Sequence, residues 1–196
     1  MGKRFFDVVV SVTGLVFLIP FFLVFATWIA FDSEGPVFYL QERVGRGGVI
    51  FKLIKFRTMR KESDKLTVIT VGKRDPRITR AGYFLRKFKI DELPQLINVV
   101  KGEMSLVGPR PELKKFTDSY LAEQRQILLV RPGITDPASI RFRNENEMLE
   151  GKEDPVGYYV REILPVKLSL NLDYIRHRSF WMDIGIILKT VFSLFK

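Results

Sequence analysis

The sequence predicts an α+β protein, mostly helical with a small β-hairpin, attached to a membrane through its N-terminal segment. Three observations support this fold class. A long uncharged apolar run occupies residues 8–31. Two segments rich in β-branched and aromatic residues, 37–40 and 49–54, flank a glycine-rich turn, as is typical of a hairpin. From Leu93 onward, apolar residues recur at the spacing of a helix with one buried face.

The composition limits the chemistry that this chain can perform. With 196 residues it is one domain, or one domain plus a membrane anchor. It contains no cysteine and one histidine, which excludes disulfides and thiolate chemistry and argues against a zinc site. The formal net charge of +10 favours an anionic partner, which could be nucleic acid, a nucleotide, a phospholipid surface or a phosphorylated lipid.

The apolar N-terminal run is long enough to cross a bilayer, because a helix over residues 8–31 would extend about 36 Å. Two features favour a helix–break–helix hairpin that enters and leaves the same leaflet instead. Pro20 lies in the middle of the run, and basic residues flank it on both sides, with Lys3 and Arg4 before it and Arg43 after it. On these grounds alone, a spanning helix and a re-entrant hairpin are equally compatible with the sequence.

The stretch from Leu85 to Glu112 carries the candidate chemistry. It places several cations ahead of two adjacent carboxylates, Asp91 and Glu92, at or just before a predicted helix N-terminus. One interpretation makes Asp91 an N-cap, worth about 1 kcal/mol. The other is a site where a carboxylate and a metal ion meet a phosphate, because a helix N-terminus favours anions. Adjacent residues do not face each other on a helix, so the two acids are expected to play different parts.

The helix that follows these acids is predicted to end at Gly102, a residue suited to a left-handed helix stop. Its buried face would consist of Leu93, Leu96, Ile97 and Val100. Further helices are predicted over residues 81–89, 111–130, 168–174 and 179–196.

Two prolines hold Arg110 in a stiff segment. Pro109 and Pro111 each fix their own φ, and Pro111 also moves Arg110 out of the helical region. The result presents one guanidinium to a fixed anion or a planar base. The alternative is a linker into the next helix, with Pro111 at the first helical position.

Several short motifs follow one another along nearly the whole chain. They are QERVG at 41–45, KFRTM at 55–59, DPRIT at 75–79, DELPQL at 91–96, KGEMS at 101–105, GPRP at 108–111 and RPGIT at 131–135. In this order they resemble the bacterial sugar transferases, and more narrowly the small monotopic polyprenyl-phosphate phosphoglycosyl transferases.

The resemblance implies an enzyme that moves a phosphosugar from a UDP-sugar to a polyprenyl phosphate. The products would be UMP and a polyprenyl diphosphate sugar, in the first membrane step of glycoconjugate assembly. It implies a covalent intermediate on Asp91, with Glu92 as a second catalytic residue and Mg²⁺ held through both carboxylates. Substrate-binding residues implied by the matching positions are Lys55, Arg86, Pro109, Arg110, Pro111 and Arg143.

The resemblance also favours the re-entrant hairpin over a membrane span. Residues 1–31 would form the membrane helix, and residues 32–196 an interfacial catalytic domain on the cytoplasmic face of the inner membrane, in contact with membrane lipids. Two departures from the family pattern stand out. Ile19 precedes Pro20 where relatives often carry serine, and residues 136–142 differ from the usual segment, which leaves the donor sugar open. A homodimer is also compatible with the sequence.

Two other functional classes are compatible with parts of the sequence. A membrane-anchored nucleic-acid-binding module would fit the charge of +10. The sequence has none of the usual nucleic-acid-binding motifs, however, and its basic residues are dispersed, so nucleic acid is not expected as a partner. A scaffold that recruits glycan-assembly proteins to the membrane would tolerate the loss of both Asp91 and Glu92.

Overall fold

The computed structural model describes residues 2–61, 71–72 and 75–193 of the chain. In these residues the protein is mostly helical with small two-stranded sheets, which confirms the predicted fold class in outline. Most of the loop expected around residues 60–80 lies outside the described residues.

The first element, α1, runs from Gly2 to Asp32. It is the one helix, among the residues described, that is long and apolar enough to cross a membrane. The helix continues through Pro20, and many of its apolar side chains are exposed, including Phe17 at 73%. The long apolar N-terminal helix is thus confirmed, and a turn back at Pro20 stays a prediction.

Polar contacts tie the first turns of α1 to the rest of the protein. Lys3 donates a hydrogen bond of 3.1 Å to the carbonyl of Val107 and forms an ion pair with Asp183. Asp7 is buried and accepts a hydrogen bond of 2.7 Å from Ser105 Oγ. Because a buried carboxylate is costly without such a partner, these contacts specify where the start of the helix docks.

The far end of α1 is held in the same way. Arg57 donates to the carbonyls of Ile29, at 3.0 Å, and Ser33, at 2.6 Å, which satisfies acceptors left free at the helix C-terminus. Asp32 accepts a hydrogen bond of 2.9 Å from the backbone N–H of Ala81. Both ends of α1 therefore contact the same globular body.

The predicted hairpin is confirmed. Strands β1 (Phe38–Val44) and β2 (Ile50–Phe56) pair antiparallel, with a short 3-10 turn at Arg46–Gly48 between them. Tyr39 lies opposite Lys55 in this register, so the end of β2 delivers Lys55 beside the segment that carries the two adjacent acids.

That acidic segment connects two helices. Helix α2 covers Arg80–Lys87, a 3-10 turn covers Ile90–Glu92, and α3 covers Gln95–Lys101. Gly102 ends α3 with φ 89°, so the predicted left-handed stop is confirmed.

The predicted buried face of α3 is wrong. Gln95 and Asn98 are buried, whereas Val100 is 38% exposed. Asn98 is accommodated because its side chain donates to and accepts from the backbone of β2, at 2.8 and 3.0 Å. The apolar stripe of α3 instead packs along α1, where Leu96 faces Gly14.

The predicted helix over residues 111–130 is wrong in length. Only a four-residue helix and a separate 3-10 turn form there, since the hydroxyls of Thr117 and Ser119 donate back to nearby carbonyls and compete with helix propagation. The helix predicted over 168–174 is confirmed, and the one predicted over 179–196 is confirmed as far as residue 193, since residues 194–196 lie outside the described part of the chain. The remaining α-helices of the described residues are α4 (Lys114–Thr117), α5 (Pro137–Arg141), α6 (Glu145–Met148), α7 (Pro155–Tyr158), α8 (Leu164–His177) and α9 (Phe180–Ser193). A π-helical segment, Tyr159–Ile163, joins α7 to α8.

Three apolar clusters form the core around these elements. One joins α1, α2 and β2, a second lies between β2, α3, α8 and α9, and a third packs α8 against the segments that precede it. Their most central residues include Phe56, Leu85, Met104, Val107, Tyr174, Leu149 and Ile163.

A parallel strand pair crosses this core. Strands β3 (Ser105–Val107) and β4 (Gly133–Thr135) lie side by side, and just beyond β3 the chain turns at Gly108. The backbone N–H of Gly133 donates to the Pro109 carbonyl at 2.9 Å. This close crossing sets the path of the segment that carries Arg110.

We expect Gly133→Ala to destabilise the protein by about 3 kcal/mol, because overpacking a buried backbone crossing forces the chains apart. A Cβ at Gly133 would lie 2.1 Å from the backbone nitrogen of Gly108. Urea denaturation measures the change in free energy of unfolding. Gly185→Ala is the matched control, because its Cβ would meet nothing within 4 Å and the change should be neutral or stabilising. Equal stability of the two variants would contradict the close packing of this crossing.

Candidate active site

A cleft with a volume of about 1080 Å³ opens where β2, α2, α3 and the Arg110 segment meet. Two of the residues predicted to bind substrate, Pro109 and Pro111, are buried instead, and their carbonyls accept hydrogen bonds that fix the segment between them. The other predicted site residues all line the cleft: Lys55, Arg86, Asp91, Glu92, Arg110 and Arg143.

Local backbone geometry presents the two acids. Lys89 adopts φ 57°, the left-handed conformation that non-glycine residues rarely take, and it is the one such residue among those described. Lys89 follows α2 and is the N-cap residue of the 3-10 turn that carries Asp91 and Glu92. This strained backbone position lies two residues before Asp91, and backbone strain is often found at functional sites.

Asp91 is not a helix cap. Its side chain makes no capping hydrogen bond, and the N-cap position of α3 is Pro94. The residue is 8% exposed, and its Oδ1 has no hydrogen-bond partner among the residues described. A buried carboxylate oxygen left without a partner is costly, so this one requires an explanation in function.

The charge state of Asp91 reflects its position. Burial raises its pKa, the adjacent Glu92 raises it further, and Lys55, Arg86 and Lys89 act in the opposite direction. These three cations surround the Asp91 carboxylate. Among the described residues, none of them forms a direct ion pair with it.

Glu92 is in the opposite situation. Both of its oxygens are occupied, since Arg110 binds them as a fork, with Nη1 at 3.0 Å from Oε2, and Lys55 Nζ lies 3.4 Å from Oε1. Burial opposes ionisation, but Arg110 and Lys55 outweigh it and hold the pKa of Glu92 well below its usual range. The expectation that the two acids play different parts agrees with this geometry: Glu92 is locked and Asp91 is open.

Four of the cations that line the cleft, Lys55, Arg86, Arg110 and Arg143, contribute in different ways. Burial lowers the pKa of Lys55 to about 8, with Glu92 opposing the shift and Arg110 adding to it. The ion pair with Glu92 raises the pKa of Arg110, which remains charged. Arg86 and Arg143 line the cleft and have no ion pair with a described residue, so both can bind an incoming anion.

The donor set allows a magnesium ion only in combination with substrate. No group of three or more acidic or histidine side chains gathers in the described part of the chain. Mg²⁺ commonly takes one or two carboxylates together with substrate phosphates and water. The orphaned oxygen of Asp91 suits that role, whereas the oxygens of Glu92 are already held by cations.

Sequence reasoning missed a second charged cluster on the wall of the cleft. Its members are Arg43, Glu112, Glu145, Tyr159 and Lys167. Glu112 directly follows the Pro-Arg-Pro segment and Arg43 lies in the QERVG motif, so both had a signal in the sequence. Tyr159 and Lys167 lie outside every motif noted in the sequence.

Proteins of similar sequence identify the family of this chain. A model of the bacterial sugar transferase family matches residues 1–196. A Bacillus subtilis protein provisionally named an undecaprenyl-phosphate N-acetylgalactosaminyl 1-phosphate transferase is 43% identical over 152 residues, covering 78% of this chain and 81% of the relative.

Two further relatives are named for related reactions. A UDP-glucose:undecaprenyl-phosphate glucose-1-phosphate transferase of Caulobacter vibrioides is 38% identical over 197 residues, covering 99% of this chain and 70% of the relative. The Escherichia coli protein of the same name is 37% identical over 197 residues. The match covers 98% of this chain and 40% of the longer relative. The chain therefore belongs to the bacterial sugar transferase family, which confirms the resemblance noted in its motifs.

Proposed function

We propose that this enzyme transfers a phosphosugar from a UDP-sugar to undecaprenyl phosphate or a similar polyprenyl phosphate. The observation that carries the proposal is the buried Asp91, whose Oδ1 has no hydrogen-bond partner among the described residues, in a cleft lined by several cations that include Lys55, Arg86 and Arg143. The names of the relatives support the same substrate classes. A purely scaffolding role, the alternative, gives no reason to keep a carboxylate buried without a partner.

The first proposed step is attack by Asp91 on the sugar-bearing phosphorus of the donor. An O–P bond forms to the carboxylate, the bond to the second phosphate breaks, and UMP leaves with the electron pair. In the second step, an oxygen of the lipid phosphate attacks the same phosphorus. The acyl phosphate bond breaks, the Asp91 carboxylate is restored, and the polyprenyl diphosphate sugar departs.

The cations make this attack of an anion on an anion feasible. We assign Lys55, Arg86 and Arg143 to the binding of phosphate oxygens, and Arg110, fixed by its ion pair with Glu92, adds positive charge to the transfer site. Asp91 would hold Mg²⁺ through its carboxylate, and the bound ion would supply further neutralisation of the developing charge. Glu92 is assigned to orienting its two partners, Arg110 and Lys55, rather than to binding the metal ion directly.

The proposed activity is tested by incubating the purified protein with Mg²⁺, undecaprenyl phosphate and a panel of UDP-sugars. We expect release of UMP together with a lipid diphosphate sugar for at least one donor. A scaffold, by contrast, would release no UMP with any donor.

The alkaline limb of the pH profile should report on Lys55. Its pKa is lowered to about 8, so raising the pH through this value removes a positive charge from the cleft, and kcat/KM should fall. Lys55→Arg keeps the charge at much higher pH and should shift this limb upward. The measurement is kcat/KM from pH 6 to 10. A limb that stays in place in Lys55→Arg would assign the titration to another group.

We further propose that α1 is re-entrant, with residues 1–31 in the membrane and residues 32–196 as a catalytic domain on its cytoplasmic side. The support lies at the two ends of the helix. Lys3 and Asp7 at the start, and Asp32 at the end, all make polar contacts with one globular body. A straight span would place these ends on opposite sides of the bilayer. The cytosolic location of UDP-sugars supports placing the catalytic domain on the cytoplasmic side.

The oligomeric state is a separate question. A homodimer stays a prediction, and native mass spectrometry can test it.

Topology is measurable because the chain contains no cysteine. We expect Gly2→Cys and Glu34→Cys to react with a membrane-impermeant maleimide from the same side of inverted vesicles. Phe17→Cys, in the apolar middle of α1, is the control and should be protected. Labelling of Gly2→Cys and Glu34→Cys from opposite sides would establish a membrane span.

A further inference from the structure

The second charged cluster has no part in the transfer steps, although it lines the same cleft. Glu112 accepts a hydrogen bond of 2.8 Å from the Tyr159 hydroxyl and lies 3.5 Å from Lys167 Nζ. Lys167 also donates to Glu145 at 3.0 Å and to the Tyr159 oxygen at 3.2 Å. Arg43 approaches Glu112 from the β1 side. We call these five residues the Glu112 cluster.

The charge of the Glu112 cluster differs from that of the transfer site. Two cations and two carboxylates balance each other, and burial together with Glu112 raises the pKa of Tyr159, so its hydroxyl stays protonated. Burial opposes ionisation of Glu112, but Lys167 and Arg43 outweigh it and lower its pKa. A balanced set of ionised acceptors and donors suits a neutral polar ligand better than a phosphate.

The cluster also has acceptor capacity to spare. The Glu112 side chain is 10% exposed, and its Oε2 lies 3.7 Å from Arg43 Nη1, which is too far for a hydrogen bond. Glu145 is 25% exposed and has one ion pair among the described residues, to Lys167. A purely structural cluster would be expected to close these acceptors off, because buried polar groups without partners are costly.

The two sites adjoin each other through Arg110. Arg110 pairs with Glu92 in the transfer site and precedes Glu112 by two residues in the chain. All of these residues line one cleft, so a ligand bound by its phosphates at Arg86 or Arg143 can extend toward the Glu112 cluster. Hydroxyl groups are the donors that ionised carboxylates bind most readily in a polar ligand.

We propose that the Glu112 cluster binds the hydroxyl groups of an uncharged end of the donor, either the pyranose ring or the ribose. Glu112 and Glu145 accept from vicinal hydroxyls, and Lys167 and Tyr159 hold the two carboxylates in place. This inference rests on the proposed phosphosugar transfer and adds the residues that would set donor specificity.

The test compares donors that differ at one hydroxyl. We expect Glu145→Gln to change the ratio of kcat/KM for UDP-glucose to kcat/KM for UDP-galactose by about tenfold or more, because a hydrogen bond to a charged acceptor is lost for one epimer only. Glu112→Gln is a second variant of the same kind. Glu123→Gln is the control, since this exposed acid pairs with Arg176 outside the cleft. Inhibition by UMP and by 2′-deoxy-UMP is measured in parallel.

The outcomes separate the two ligand groups. A shifted sugar ratio with unchanged UMP inhibition assigns the Glu112 cluster to the pyranose. An unchanged ratio with loss of the preference for UMP over 2′-deoxy-UMP assigns it to the ribose. If folded Glu145→Gln and Glu112→Gln retain both the wild-type ratio and the wild-type nucleotide preference, the inference is overturned. Absence of UMP release by the wild type with every donor would instead refute the proposed function.

Discussion

Asp91→Asn is expected to lower turnover by about 10³-fold or more, because an amide cannot form the acyl phosphate and only residual binding effects remain. The same change should leave the protein as stable as the wild type or more stable. Burial raises the pKa of Asp91, which means that the folded state holds this proton more tightly than the unfolded chain does. At neutral pH the ionised carboxylate therefore destabilises the fold, and asparagine removes that effect.

The measurements are UMP release in the presence of lipid acceptor and a thermal melt. Asp173→Asn is the matched control, because Asp173 is exposed, pairs with His177 on the surface and does not line the cleft. It should retain wild-type turnover. More than a tenth of wild-type turnover in Asp91→Asn would exclude this carboxylate as the nucleophile. A large drop in its melting temperature would indicate a structural role instead.

Arg110→Met is expected to destabilise the protein by about 3 kcal/mol, because it removes the main partner of a buried carboxylate and leaves that charge uncompensated. Lys55 remains 3.4 Å from Glu92 and limits the loss. Adding Glu92→Gln to the same protein should recover most of the stability, since the unpaired charge is then gone. Turnover should stay about 10²-fold low in both proteins, because the fixed charge at the transfer site is missing from each.

Urea denaturation of the two single variants and the double variant gives the coupling free energy between Arg110 and Glu92. The control cycle uses Arg176 and Glu123, an exposed pair that should couple by less than about 1 kcal/mol. Additive effects at Arg110 and Glu92 would mean that their ion pair does not stabilise the site. Recovery of turnover in the double variant would mean that Arg110 has no role beyond pairing with Glu92.

Elements that are determined by residues close together in the chain could be predicted from the sequence. The hairpin was predictable because β-branched segments flank Arg46 and two glycines, and the end of α3 because Gly102 takes a left-handed conformation. Asp91 and Glu92 were singled out as neighbours with different roles, and the geometry separates them into an open and a locked carboxylate.

Features that depend on distant partners were not predictable in the same way. The apolar stripe of α3 was predicted to be buried, whereas it is partly exposed and contacts α1, and a single-sequence pattern does not say which neighbour covers a stripe. Asn98 is buried because the backbone of β2 satisfies its amide. The pairing of Glu112 with Lys167 joins residues far apart in the chain, and no periodicity in either segment indicates it.

The central claim is a covalent intermediate on Asp91, and the most direct measurement is the intact mass of the purified protein after incubation with Mg²⁺ and a UDP-sugar, without lipid acceptor. We expect the wild type to gain the mass of one phosphosugar and to release an equivalent amount of UMP, and Asp91→Asn to gain nothing. Adding polyprenyl phosphate should then discharge the adduct. An unmodified wild-type protein that releases UMP only once the lipid acceptor is present would contradict the intermediate and indicate direct transfer.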